Sequence, residues 1–151
     1  MTLIVEAGDP LSPEALALLQ AHHALMESLF PPEDNHYLDA GALTAPDIHF
    51  FIVRRSTQML GCAALAERPS YGEVKSMFVK PEARGTGAAD ALMRQLEDHA
   101  RMLKLPLIKL ETGDTLHAAH GLYRRHGFRD CGAFGDYDEG ASSVFMEKPL
   151  T

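Results

Sequence analysis

A short run, Arg84-Gly85-Thr86-Gly87-Ala88-Ala89, constrains this chain more than any other. It falls between an apolar segment that ends at Val79-Lys80-Pro81 and the most amphipathic stretch of the sequence, 86–103. A strand, a glycine turn and a helix start in that order converge backbone N–H groups on one point. The first turn of a helix has no carbonyl partners for its own N–H groups, so such a point attracts an anion. Glycine lets the main chain approach a phosphate without an intervening Cβ, and Ala88 and Ala89 keep the first helical turn slim. The run has no Gly-Lys-Ser/Thr, which excludes a P-loop. It lacks the third glycine of the dinucleotide fingerprint, and no early βαβ unit precedes it. Without further context, a helix entry that merely contains glycine explains the run equally well.

The remaining elements follow from periodicity. Leu3-Ile4-Val5 reads as a first strand. Ser12-Pro13 starts a helix, with serine as cap and proline at the first helical position. Leu18, His22, Leu25, Met26 and Leu29 recur on its apolar face until about Ser28, and Pro31-Pro32 stops it. Residues 31–46 are irregular, with one helical turn near Asp39. Ile48–Arg55, Met59–Glu67 and Tyr71–Val79 read as strands, the first two forming a hairpin across Ser56-Thr57-Gln58. The 86–103 helix has Ala89, Leu92, Met93, Leu96, Ala100 and Leu103 on its apolar face; Asp90, Glu97 and Asp98 fall on the polar one. Pro106–Thr112 is a buried strand. Leu116–His126 is a helix closed by Gly127 in the left-handed region with apolar Phe128 behind it. Ser142–Glu147 is a last strand. The order β-α-β-β-β-α-β-α-β describes one α/β domain over residues 1–151, mostly antiparallel at first, with a βαβ unit in the middle.

A formal net charge of -7 disfavours nucleic-acid and anionic-membrane partners, which need a basic footprint. There is no apolar stretch of about 18 residues, and the first ten residues lack the basic start of a secretory signal. Cys62 and Cys131 match no metal or redox spacing, so a reduced, cytoplasmic location is expected. His117 and His120 lie three apart on one helix, but no third ligand is indicated and no metal is expected.

The run Val79-Lys80-Pro81-Glu82-Ala83-Arg84-Gly85-Thr86-Gly87-Ala88-Ala89 resembles the signature of the GNAT superfamily of N-acetyltransferases, Arg/Gln-x-x-Gly-x-Gly/Ala after a strand. Arg84, Gly87 and Ala89 fill its three defining places. Ala119, Leu122, Tyr123, Gly127 and Phe128 match a second element, A-x-x-LY-x-x-x-GF, although Leu116 stands where an asparagine is frequent. The segments 28–40, 110–114, 134–137 and 143–150 are similar to those of small single-domain bacterial members. The resemblance implies a GNAT-type acyl-CoA N-acyltransferase fold, a mixed, mostly antiparallel central sheet flanked by helices. It implies acetyl-CoA as co-substrate, with pyrophosphate on Arg84, Gly85, Thr86, Gly87, Ala88 and Ala89. The pantetheine arm would pair with the backbone of Met77, Phe78 and Val79, where an N–H at Phe78 or Val79 would also polarise the acyl carbonyl. The acceptor would be a primary amine, of a small molecule or amino acid; a protein N-terminus or lysine, or a non-catalytic CoA-binding module, are the alternatives. A homodimer is compatible with the family.

Two side chains are singled out for chemistry. The resemblance makes Tyr123 the general acid for the departing thiolate, and a phenol is a proton donor at neutral pH. Glu73 is the expected base, because strand alternation puts Glu73, Lys75 and Met77 on one face. Glu111, in a different strand, is the runner-up. By resemblance His22, His23 and His36 line the acceptor pocket, and Arg54 is a candidate partner for a substrate carboxylate.

Overall fold

Every strand among the described residues joins one sheet, in the spatial order β1-β2-β3-β4-β5-β7-β6. The computed structural model describes residues 2–35, 37–139 and 142–150. His36 therefore lies outside the described residues. The strands are β1 (Leu3–Ala7), β2 (Ile48–Arg55), β3 (Gln58–Glu67), β4 (Gly72–Val79), β5 (Leu107–Gly113), β6 (Arg129–Cys131) and β7 (Ser143–Pro149). The helices are α1 (Pro13–Leu29), α2 (Ala88–Met102) and α3 (His117–Arg125). All neighbouring strands run antiparallel except β4 and β5, which α2 connects as a βαβ crossover. Among the described residues no helix is long and apolar enough to cross a membrane.

Both faces of the sheet carry a core. On one, α2 packs Leu92, Met93 and Leu96 against Leu60, Leu65 and Ile108. On the other, α1 packs Ala15, Leu18 and Leu19 against Phe50, Ile52 and Phe78. Local signals set the helix ends as the sequence predicts. The Ser12 hydroxyl accepts from the Ala15 N–H at 3.3 Å, with Pro13 at the first helical position. At the end of α3, Phe128 N–H reaches the Tyr123 carbonyl and Gly127 N–H reaches that of Arg124, both at 3.0 Å, and Gly127 has φ of 90°. That pair of bonds is a Schellman closure.

Four expectations need correction. The edge strand β6 is absent from the sequence reading, because three residues carry no measurable alternation. Leu29, in the last turn of α1, is exposed rather than on the apolar face. Glu97, assigned to the polar face of α2, is buried, and Lys148 of β7 donates to its carboxylate. The fourth concerns β4. Lys75 lies opposite Ala64 and Phe78 opposite Cys62, both on the α1 face, so two residues rather than one separate a pair that shares a face. Ser76 in between has φ of 56°, and the register shifts there. This bulge turns Met77 toward the α2 core, away from Glu73 and Lys75. Simple alternation, which put the three together, misses one inserted residue.

Candidate active site

The two parallel strands β4 and β5 pair only at Gly72–Ile108 and Glu73–Lys109. Beyond that point they diverge. The facing edges of both strands then lack each other as partners, and a cavity of about 1020 Å³ opens between them. The splay lies at the carboxyl ends of parallel strands, where an α/β sheet leaves room for a ligand.

One mouth of the cavity is the glycine turn. Gly85 and Gly87 take φ of 81° and 88°, a region that side chains with a Cβ rarely adopt. The first helical N–H with a carbonyl partner is that of Ala91, which donates to Gly87 at 3.0 Å. The N–H groups of Ala88, Ala89 and Asp90 are thus the unpaired donors of the α2 start, and Gly87 supplies no side-chain cap. All of Arg84 to Ala89 line the cavity, as do Met77, Phe78 and Val79. Helix α2 begins at Ala88 rather than Thr86, so Thr86 belongs to the turn. Asp90 also reaches the rim, tied to His126 (2.8 Å) and Arg125 (3.3 Å) of the neighbouring α3 end.

Tyr123 projects from α3 into the cavity wall, buried, with the Phe128 ring 5.9 Å away. Burial raises its phenol above the ordinary value, and the charge of Glu111 adds to the shift. Glu111 itself lines the cavity and accepts from the Ser143 hydroxyl at 2.9 Å.

Glu73 is placed differently. It is buried, and the wall includes its neighbours Val74 and Lys75 but not Glu73. Its carboxylate accepts from the Tyr137 hydroxyl and lies 3.4 Å from Lys75 Nζ and 3.9 Å from Arg68 Nε. Lys75 in turn donates to the Tyr137 oxygen at 2.7 Å. Burial and the adjacent Glu73 charge push the Tyr137 phenol well up. In the sequence the 134–137 segment carries only a family likeness, and nothing in it gives Tyr137 a role. The contact spans 64 positions, and no local pattern announces it.

The far side of the cavity is closed by α1 and the chain after it, through His22, Leu25, Met26, Phe30, Asn35 and Tyr37. Phe30 sits on Gly113 of β5 so closely that a Cβ there would lie 2.1 Å from the ring. His22 is half-buried, its ring 5.6 Å from that of Phe78, and its Nδ1 is sealed without a hydrogen-bond partner. His23 stacks on Tyr37 at 3.9 Å. Arg54 is elsewhere, paired with Glu6 at 2.7 Å. The rings of His117 and His120 lie 5.6 Å apart, and His120 Nε2 bonds the Gly113 carbonyl at 2.8 Å. Among the described residues no cluster of three or more His, Cys, Asp or Glu side chains is placed to hold a metal ion.

Comparison with known proteins agrees with this geometry. The family model described as "Acetyltransferase (GNAT) family" matches residues 15–128. An IAA acetyltransferase of Azospirillum brasilense is 43% identical over 144 residues, covering 94% of both chains. The crystal structure of a protein of Klebsiella pneumoniae superposes with a TM-score of 0.84 at 30% identity, covering 99% of each chain. The PaiA N-acetyltransferase of Thermoplasma acidophilum, solved in complex with coenzyme A, shares the fold, with a TM-score of 0.74 over 99% of each chain at 15% identity. The chain belongs to the GNAT family and is an acetyl-CoA-dependent N-acetyltransferase.

Proposed function

We propose that the enzyme acetylates the primary amine of a small molecule or amino acid, with Tyr123 as the acid at the leaving group. The observation that carries the small acceptor is the closed far side of the cavity. Phe30 is seated on Gly113, and Asn35 and Tyr37 continue the wall, which favours a compact acceptor over an extended peptide. The Azospirillum relative, whose name gives IAA as its substrate, supports the same class.

The cavity suits acetyl-CoA. Unpaired N–H groups at the start of α2 and two left-handed glycines meet a pyrophosphate, and the open edge of β4 at Met77 to Val79 suits an amide-bearing arm. When bound, the co-substrate supplies an activated acyl group on a thiolate leaving group. The protein must then take a proton from the acceptor and offer one to the sulfur. Tyr123 stays protonated at neutral pH, because burial and Glu111 both raise it. A phenol above its ordinary value of about 10 is a weaker acid than a thiol near 8.5, so Tyr123 begins as a hydrogen-bond donor to sulfur. Asp34, Asp90 and Glu111 all line the cavity, and Glu111, the one whose charge reaches Tyr123, takes the acceptor's proton. Once it does, its charge disappears, and one of the two causes that raise Tyr123 disappears with it. Proton uptake on one side thereby sharpens the acid on the other. Glu73, the base expected from sequence, acts behind Lys75 and Tyr137 and sets their positions.

An amine panel assayed by thiol release from acetyl-CoA tests the reading. Turnover of free amines or amino acids, with none on peptides bearing the same terminal residue, is the expected outcome. A preference for peptides would overturn it.

A further inference from the structure

His22 remains unused by this chemistry. It stands on α1, in the wall facing the acceptor side, among Leu25, Met26, Phe30 and Phe78. Among its two ring nitrogens Nδ1 is buried with no partner. With Nδ1 sealed, Nε2 is the nitrogen left to meet an occupant of the cavity. The tautomer follows from the same fact. A proton on Nδ1 would bury a donor with nothing to receive it, and buried N–H groups without partners are rare. The proton therefore sits on Nε2, which donates toward the cavity.

We infer that His22 is a specificity-determining residue: its Nε2–H donates to an oxygen of the acceptor, which is an amine of apolar body carrying a carboxylate, carbonyl or hydroxyl. The inference rests on the transferase reading above. Recognition, rather than proton removal, is the role that fits. With the proton on Nε2, the nitrogen that meets the cavity has no lone pair free to take another, and burial and the neighbouring His23 lower His22 to about 4 and keep the ring neutral at pH 7. A neutral ring N–H in an apolar wall discriminates strongly between occupants with and without an oxygen.

The test uses matched pairs: phenylalanine with phenethylamine, leucine with isopentylamine, methionine with 3-(methylthio)propylamine. Each is measured for turnover, and for binding to the CoA-saturated enzyme by calorimetry. The wild type is expected to favour the oxygen-bearing member of a pair. His22→Phe, which keeps a ring against Phe78, should weaken that member roughly 10- to 100-fold through KM. The partner lacking oxygen and the affinity for acetyl-CoA should stay unchanged, and His22→Gln, which retains a donor, should recover part of the loss. Histidine 15N spectra of the wild type give the answer without a substitution: the oxygen-bearing member alone should shift one imidazole. Equal losses for both members, no loss for either, a changed acetyl-CoA affinity, or no member binding at all would overturn the assignment. Pairs that bind in a His22-dependent way but never turn over would instead overturn the transferase reading and leave this one standing.

Discussion

Tyr123 and His22 show how one physical cause, burial, prepares two groups for opposite duties. The Tyr123 phenol is driven up and stays a donor; the His22 imidazole is driven down and stays uncharged. Tyr123→Phe should lower kcat about 100-fold or more, within the usual range for an acid group, while acetyl-CoA affinity measured by calorimetry stays near wild type. Equal losses in both would make Tyr123 a packing residue. Glu111→Gln should lose kcat/KM at neutral pH and regain part of it at high pH, where the free amine forms unaided; a pH–rate profile of the same shape as wild type would remove Glu111 from the role. His22 also makes stability pH-dependent. Its folded pKa of about 4 lies below the ordinary 6.5, so the unfolded chain takes up the proton first as pH falls. Its contribution is complete above pH 6.5 and disappears between 6.5 and 4. Linkage puts the loss at up to about 3 kcal/mol. His22→Phe should flatten that limb of a Tm–pH curve, which thermal melts across pH 4–7.5 would show.

The start of α2 allows a test of a segment rather than a single chemical group. Gly87 is a poor place for it: at φ of 88° any side chain strains the turn, so lost binding would be confounded with lost folding. Ala89 is better. It lies in the first helical turn and lines the cavity. An acidic residue there favours the helix, by about 0.5 kcal/mol, yet sets a negative charge at the proposed pyrophosphate site. Ala89→Glu should keep or raise Tm while acetyl-CoA affinity falls at least roughly 100-fold, as expected from losing a charge-assisted contact and adding repulsion. Retained affinity would move the phosphate site off this helix. These elements were legible in the sequence because their signals are local. Serine before proline, glycine followed by phenylalanine, and a 3.6-residue apolar stripe each report on a few neighbouring positions. The bulge at Ser76 leaves no such trace. Nothing in GEVKSMFV marks one residue as inserted, and so the face of Met77 was misassigned.

For the whole molecule, the parts invisible to sequence are those made by distant segments meeting. The glycine turn and Tyr123 are legible as candidates because each sits inside a spaced motif. The Tyr137–Glu73–Lys75 group and the seat of Phe30 on Gly113 join segments far apart in the chain, and no periodicity encodes them. Gly113→Ala probes the second. Its Cβ must displace the Phe30 ring, so the expected result is a changed acceptor preference with acetyl-CoA affinity intact, read from the same amine panel. An unchanged preference would show that the wall at Phe30 does not touch the acceptor.

The divergence of β4 from β5 has a consequence for cohesion as well as for binding. Among the described residues only two ladder pairs stitch β1–β4 to β5–β7–β6, so across its middle the sheet has a seam. A ligand whose backbone-like amides bridge that seam completes the ladder that the chain itself leaves unfinished. Saturating co-substrate then behaves as mortar between two half-sheets. At 100 times its Kd it stabilises the fold by about 2.7 kcal/mol, and amide exchange should slow selectively along the inner edges of β4 and β5 rather than evenly over the molecule.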